Sequence, residues 1–217
     1  MTGTARDDST GSSPYTPDPV SQRPALGCLF EVLETLALTV LIFFGIQTFI
    51  AQPFKVQQGS METTLLPGEY VLVDKLSPRW DTYATGDIVV FHPPESWAQG
   101  SDVPFIKRVI GSPGDVVELR DGLVYVNDVE IDEPYIFTID GVPQETLPTP
   151  GGASRWVVPD GELFVMGDHR NNSADSRNFG PIEVSQVVGR AWLRYWPFNA
   201  FTILPVPTYP ELASPAP

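Results

Sequence analysis

The longest uninterrupted apolar stretch runs from Thr35 to Phe54, TLALTVLIFFGIQTFIAQPF, and contains no charged residue. About 20 such residues in helical form span the hydrocarbon core of a bilayer. The stretch predicts a transmembrane helix, and with its flanks we place the anchor at residues 25–52. A cleavable leader would want a basic flank, a shorter core and a small residue ahead of the cut. Here the flank carries Glu31 and Glu34, and Phe49 stands where a small residue would sit if Ala51 ended the leader. The pattern therefore favours an anchor that stays. Arg6 and Arg23 precede it, which points to a cytoplasmic N-terminus.

Beyond residue 56 the period changes. EYVLVDKL, GDIVVFHP, FIKRVIG, DVVELRDGLVYVND, ELFVMGD and VVGRAWLRYW are short and rich in β-branched and aromatic residues. Gly, Pro and Asp bound them, the signature of strands separated by tight turns. Asp121-Gly122 and Asn127-Asp128 are predicted hairpin turns. No long 3.6-residue period appears outside the anchor. The prediction is a mainly β domain over residues 53–198, a coiled or barrel-like antiparallel arrangement of short strands. Residues 1–24, rich in Ser, Thr, Pro and Asp, predict a disordered cytoplasmic tail. Residues 93–104 and 138–155 predict exposed loops, and residues 199–217 a Pro-rich tail.

Composition then narrows the function. The 217-residue chain is 42% hydrophobic and carries a net charge of −14. No basic cluster offsets that charge, which argues against nucleic acid as a partner. Cys28 is the only cysteine, so no internal disulfide forms; near the anchor it is a lipid acceptor or, more simply, a buried thiol. His92 and His169 are the only histidines and lack a zinc-binding spacing. We predict no metal and no cofactor.

The stretch QQGSMETTL, residues 57–65, places Ser60 just past the anchor. A serine nucleophile needs a group to take its proton. A Ser-His-Asp set would draw on His92 or His169, but Asp168 and His169 are neighbours, and neighbours on an extended chain point to opposite faces. The lysines are Lys55, Lys75 and Lys107. Alternation in FIKRVIG sets Lys107 with Phe105 and Val109, and Arg108 with Ile106 and Ile110. A lysine driven neutral in an apolar strand is a general base. At an unperturbed pKa of about 10.4, roughly one lysine in 2,500 is neutral at pH 7, so the role demands desolvation or a nearby cation. Spacing alone leaves the plainer alternative open, a lysine snorkelling from a half-buried strand.

GSMETTLLPGEYVLVDK, GDIVVFHPP, FIKRVIGSPGD and GDHRNNSADSRNFGPI stand in the order, and at about the spacing, of the conserved boxes of type I signal peptidases. The chain resembles that family over nearly all of residues 35–198. The resemblance implies a single-pass enzyme of the cell membrane with its catalytic domain on the outer side. It implies a serine endopeptidase that removes signal peptides from secretory preproteins after small residues, with those preproteins and the lipid bilayer as partners. Ser60 matches the nucleophile and Lys107 the general base. Ser173 matches a serine whose hydroxyl holds the lysine amine, Asp175 and Arg177 match a structural ion pair, and Met61 packs beneath the site.

The boxes also depart from the family pattern. Thr63 stands where proline is usual, so a looser turn is expected. His169 stands where asparagine is usual, and a hydrogen-bonded loop residue is its simplest role. Gln58 stands two residues before Ser60, where some members carry a serine that helps form the oxyanion hole. Its amide has two donors and either aims one at the oxyanion, beside the backbone N–H of Ser60, or points away. Phe54, Val56, Ile88 and Phe105 are candidate linings of small substrate pockets, with core packing the default for each. Trp196, Phe198 and Phe201 fit an aromatic belt at the lipid interface, or a core. The alternative function is a catalytically silent anchored β-domain that binds exported proteins. A self-cleaving Ser/Lys regulator is more remote, because an anchor stands where a DNA-binding module would be.

Overall fold

The computed structural model describes residues 25–98 and 103–213. The tail predicted over 1–24 lies outside them, as do residues 99–102 of the predicted loop and residues 214–217. The chain divides into two units, Met1–Ile42 and Phe43–Pro217.

Helix α1 spans Ala25–Phe49, and Gly27–Phe49 is long and apolar enough to cross a membrane. Its large side chains, among them Phe30, Leu36, Leu41 and Phe44, are exposed, the opposite of a helix buried in a soluble core. Two of the three threonines in the apolar run return their hydroxyls to the helix backbone. Thr35 Oγ1 donates to Glu31 O at 2.8 Å and Thr39 Oγ1 to Thr35 O at 2.7 Å, which makes them tolerable in lipid. Cys28 is exposed on this helix rather than a buried thiol. The helix stops ahead of Pro53, whose ring cannot continue it and whose neighbour is biased towards extended backbone.

The strands are β1 (Ala51–Lys55), β2 (Tyr70–Asp74), β3 (Ile88–Phe91), β4 (Phe105–Gly111), β5 (Val116–Arg120), β6 (Leu123–Val126), β7 (Val129–Glu130), β8 (Thr138–Ile139), β9 (Val142–Pro143), β10 (Arg155–Val157), β11 (Glu162–Met166), β12 (Ile182–Glu183), β13 (Val187–Trp196) and β14 (Thr202–Ile203). The main sheet has the order β1-β2-β13-β3-β4-β11-β12, with β14 on β13. A smaller sheet runs β10-β5-β6-β7, and β8 pairs with β9. All pairings are antiparallel, so the mainly β, coiled antiparallel prediction holds. The long β13 shifts register between Val187 and Gly189, between Ala191 and Leu193, and between Arg194 and Trp196. Such bulges bend a strand and coil the sheet. Pro53 is tolerated because β1 ends the sheet.

Both predicted hairpin turns form with left-handed backbone, at Asp121 (φ 49°) with Gly122 (φ 81°) and at Asn127 (φ 51°) with Asp128 (φ 66°). Elsewhere the loops hold more order than composition suggested. Within 138–155, β8 and β9 close on Asp140 and Gly141, and Gln144 and Thr146 are buried. Within 93–104, the short helix α2 (Glu95–Ala98) inserts Trp97 among the rings of Phe91, Phe105 and Phe179. After Asn199, β14 pairs with β13 and Leu204 is buried.

Central strands are apolar on both faces. β3 is buried at Ile88, Val89, Val90 and Phe91, and β4 is buried throughout. β2 and β5 instead alternate, burying Val71 and Val73, and Val117 and Leu119. β4 therefore carries two adjacent cations, Lys107 and Arg108, into the interior.

Candidate active site

Ser60 lies in a single tight helical turn, Gly59–Met61, that follows β1. Met61 is buried beneath it, and its carbonyl accepts from Leu65 N at 2.7 Å. Lys107 Nζ and Ser60 Oγ are 2.6 Å apart, joined by a hydrogen bond. Lys107 is 1% exposed and Ser60 5%. The amine also donates to Ile106 O at 3.3 Å and lies 5.1 Å from the centre of the Phe105 ring, the neighbour that strand alternation assigned to its face. Burial is the main reason the Lys107 ammonium is pulled down to about 8; Asp175 and Asp168 oppose the shift and Arg177 adds to it. At pH 7 that leaves roughly a tenth of the amine neutral, against about one part in 2,500 for a free lysine.

Alternation sends Arg108 to the other face of β4. Its guanidinium donates to Asp168 at 2.9 and 2.8 Å and to Gly86 O at 2.7 Å, and lies over the Tyr135 ring. Thr64 Oγ1 donates to the same carboxylate at 2.5 Å. Asp168 is thus spent on Arg108, not on a histidine. Arg170 pairs with Glu133, and donates from Nε to Gly167 O at 2.9 Å. Asp175 accepts from Arg177 Nε and Nη2, both at 2.9 Å, and from Gly167 N at 3.1 Å. Two ion pairs at low exposure, Arg108–Asp168 and Arg170–Glu133, therefore stitch residues 167–177 to the body of the domain, and a third, Asp175–Arg177, braces the segment internally. Buried pairs of this kind are tolerated only when fully hydrogen-bonded.

Ser173 is brought to the site, but its buried hydroxyl has no hydrogen-bond partner, so it does not hold the lysine amine in this arrangement. It lies over Gly167, where a Cβ would fall 2.5 Å from Ser60 O and closer still to Ser173 Oγ; the absence of a side chain at 167 is what admits both. Gln58 has extended backbone (φ −114°, ψ 150°), its side chain is exposed, and it caps nothing. Of the suggested pocket linings, Val56, Ile88 and Phe105 are core residues, while Phe54 is half-buried. Trp196, Phe198 and Phe201 are exposed, not core.

The turn itself differs from the expected one. Thr63 has φ +92°, an angle unavailable to proline, whose ring holds φ near −65°. The threonine marks a different turn rather than a looser copy. His169 takes none of the proton-transfer geometry. Its Nδ1 meets Glu62 Oε2 at 2.7 Å, and its backbone N–H donates to Ser60 O at 3.0 Å. Glu62 and Thr64 are residues that sequence reading passed over, and Arg108 it placed on the opposite face of the strand without a role. A charged residue beside Lys107 in an otherwise apolar strand was the only signal for Arg108, and Glu62 carried none.

Comparison with known proteins gives a consistent picture. The family described as "Signal peptidase, peptidase S26" matches residues 29–196. "Signal peptidase I" of Leptolyngbya laminosa is 35% identical over 207 residues, covering 94% of this chain and 98% of the relative. "Probable signal peptidase I-1" of a Synechocystis species is 38% identical, covering 82% of this chain and 91% of the relative. "Signal peptidase IB" of Staphylococcus aureus is 37% identical, covering 80% and 92% respectively.

Proposed function

We propose that this chain, which belongs to the signal peptidase family, peptidase S26, cuts signal peptides from secretory preproteins with Ser60 as nucleophile and Lys107 as general base. The observation that carries the dyad is the buried 2.6 Å hydrogen bond between Lys107 Nζ and Ser60 Oγ. The neutral amine accepts the hydroxyl proton as Ser60 Oγ attacks the carbonyl carbon of the scissile peptide bond. The resulting ammonium returns that proton to the departing amine as the carbon–nitrogen bond breaks, leaving an acyl-enzyme. Water then attacks the ester, giving a proton to Lys107, and Ser60 leaves with a proton regained from it. The same amine serves both halves because burial puts its pKa near the working pH.

The tetrahedral oxyanion needs donors. The backbone N–H of Ser60 is one, and the exposed amide of Gln58 is the second when substrate is bound; such a donor is worth about 3 kcal/mol. Ser173 Oγ, unpartnered among the described residues, is available to the amine once Lys107 Nζ is protonated and releases Ser60. An extended substrate adds as a strand, and β1, the terminal strand that leads directly to Ser60, offers an edge.

Helix α1 anchors the enzyme in the cell membrane, with the N-terminus cytoplasmic and the catalytic domain outside. Ser60 lies nine residues past Ala51, so at about 3.3 Å per extended residue it stays within roughly 30 Å of the bilayer. The exposed Trp196, Phe198 and Phe201 suit the lipid interface. Cleaving a preprotein in detergent with the parent, Ser60→Ala and Lys107→Ala tests the dyad. Both variants should fold and lose activity by more than about a thousandfold. Cleavage by Lys107→Ala at near-parent rate, with loss in His169→Ala, would move the base role to histidine.

A further inference from the structure

Ser60 is useful to Lys107 only while its turn stays pressed against β4, and the turn sits on an exposed-side loop whose Thr63 has strained backbone. What holds it there from the other side is the pair Glu62–His169. His169 Nδ1 and Glu62 Oε2 are 2.7 Å apart. Immediately beside them His169 N donates to Ser60 O at 3.0 Å. Two positions flanking Met61, Ser60 by its carbonyl and Glu62 by its carboxylate, are thus tied to one residue of the 167–177 segment.

Each partner is itself held. The imidazole stacks on Phe137, with centroids 4.0 Å apart and rings 13° from parallel. Phe137 in turn is fixed by Phe137 N donating to Asp168 O at 3.1 Å. The Glu62 carboxylate lies across Gly59, where a Cβ would come within 2.6 Å of Glu62 Oε1 and 3.1 Å of Asn172 Nδ2. Gly59 is small because the carboxylate passes over it. The pair is only partly exposed, at 15% for the His169 side chain and 29% for Glu62, so water competes with it less than with a surface pair.

We propose that Glu62 and His169 form a clamp that positions Ser60 against Lys107, and that both are positioning residues of the reaction rather than ordinary loop residues. Neither touches the reacting atoms. Their role rests on the Ser60–Lys107 reading. Loss of the clamp lets the turn drift from the lysine, and displacement of about 1 Å costs up to about a hundredfold in the chemical step.

The test uses the full chain in detergent and a single-turnover measurement of acyl-enzyme formation, with KM measured separately. His169→Phe keeps a ring for Phe137 but removes the nitrogen; Glu62→Gln removes the charge; the double variant removes both. Each single variant should slow acylation about tenfold or more with KM within about twofold, and the double should be no slower than the worse single. His169→Asn, whose amide nitrogen falls near the place of Nδ1, should recover acylation to within about threefold. Parent-like acylation in His169→Phe overturns the clamp, as do losses that multiply in the double variant, or a loss that appears in KM alone. Should His169→Phe not fold, Glu62→Gln and the His169→Asn rescue decide the matter by the same criteria. Ser60→Ala is run alongside: if it retains acylation the dyad itself is wrong, whereas a dead Ser60→Ala with a parent-like His169→Phe fails only the clamp.

Discussion

At the scale of single residues, the chain accepts local costs where the chemistry needs them. A lysine amine at 1% exposure with its pKa pulled down to about 8 is a liability to the fold. Its folded pKa lies below the unfolded value of about 10.4, so the unfolded chain holds more protons between the two, and stability rises as pH climbs from about 8 to 10.4. Below pH 8 the full cost stands, about 3 kcal/mol on this shift. Lys107→Met fills the same space without an amine. It should raise the urea midpoint at pH 7 while abolishing cleavage, and the difference from the parent should shrink above pH 9. Thr63 is a second local cost: a β-branched residue at φ +92° is strained. Thr63→Gly should stabilise by about 1 kcal/mol in the same assay, and Thr63→Pro should destabilise because proline forbids the angle. At Gly167 any Cβ meets Ser60 O and Ser173, so Gly167→Ala should cut acylation by about a hundredfold.

At the scale of elements, the stability of residues 167–177 rests on charges buried in pairs. Removing one partner leaves the other uncompensated, so Arg177→Ala should cost about 3–5 kcal/mol by chemical unfolding, because Asp175 has no exposure. Arg120→Ala, which breaks the exposed contacts to Glu118 and Asp128, should leave the unfolding midpoint unchanged. The elements differ in how legible they were. The apolar run of α1, the alternating β2 and β5 and the Asp121-Gly122 turn announce themselves, because period and turn chemistry act locally. Lys107 was legible as an anomaly, a cation in an apolar strand, but its partner was not. Ser60 lies 47 residues away in sequence, and no local pattern reports a contact of that range. The resemblance to a family supplied that pairing. The Glu62–His169 contact spans 107 residues and had no such help. Hairpin β8–β9 went unread because two-residue strands carry too little alternation to stand out from a Pro-rich loop.

At the scale of the whole molecule, the described residues form an apolar helix followed by a β-rich domain. α1 exposes large apolar side chains along its length, which water penalises at about 25 cal/mol per Å², in keeping with the proposed membrane anchor. The full chain should therefore stay with membranes through an alkaline carbonate wash. In intact spheroplasts an added protease should digest the catalytic domain and spare the N-terminal tail; digestion of the tail instead would reverse the proposed orientation. The proposed placement beside the bilayer would suit a substrate whose own apolar segment is still in the membrane when it is cut.

The chain contains three lysines, Lys55, Lys75 and Lys107, which makes the decisive titration simple. Enzyme labelled with 13C at the lysine ε-carbon gives three resonances, assigned by single substitutions. One of them, absent in Lys107→Met, should titrate near pH 8, with the acid limb of preprotein cleavage following the same midpoint. Three lysines that all titrate above pH 10 in active enzyme would contradict the proposal that a desolvated amine takes the Ser60 proton.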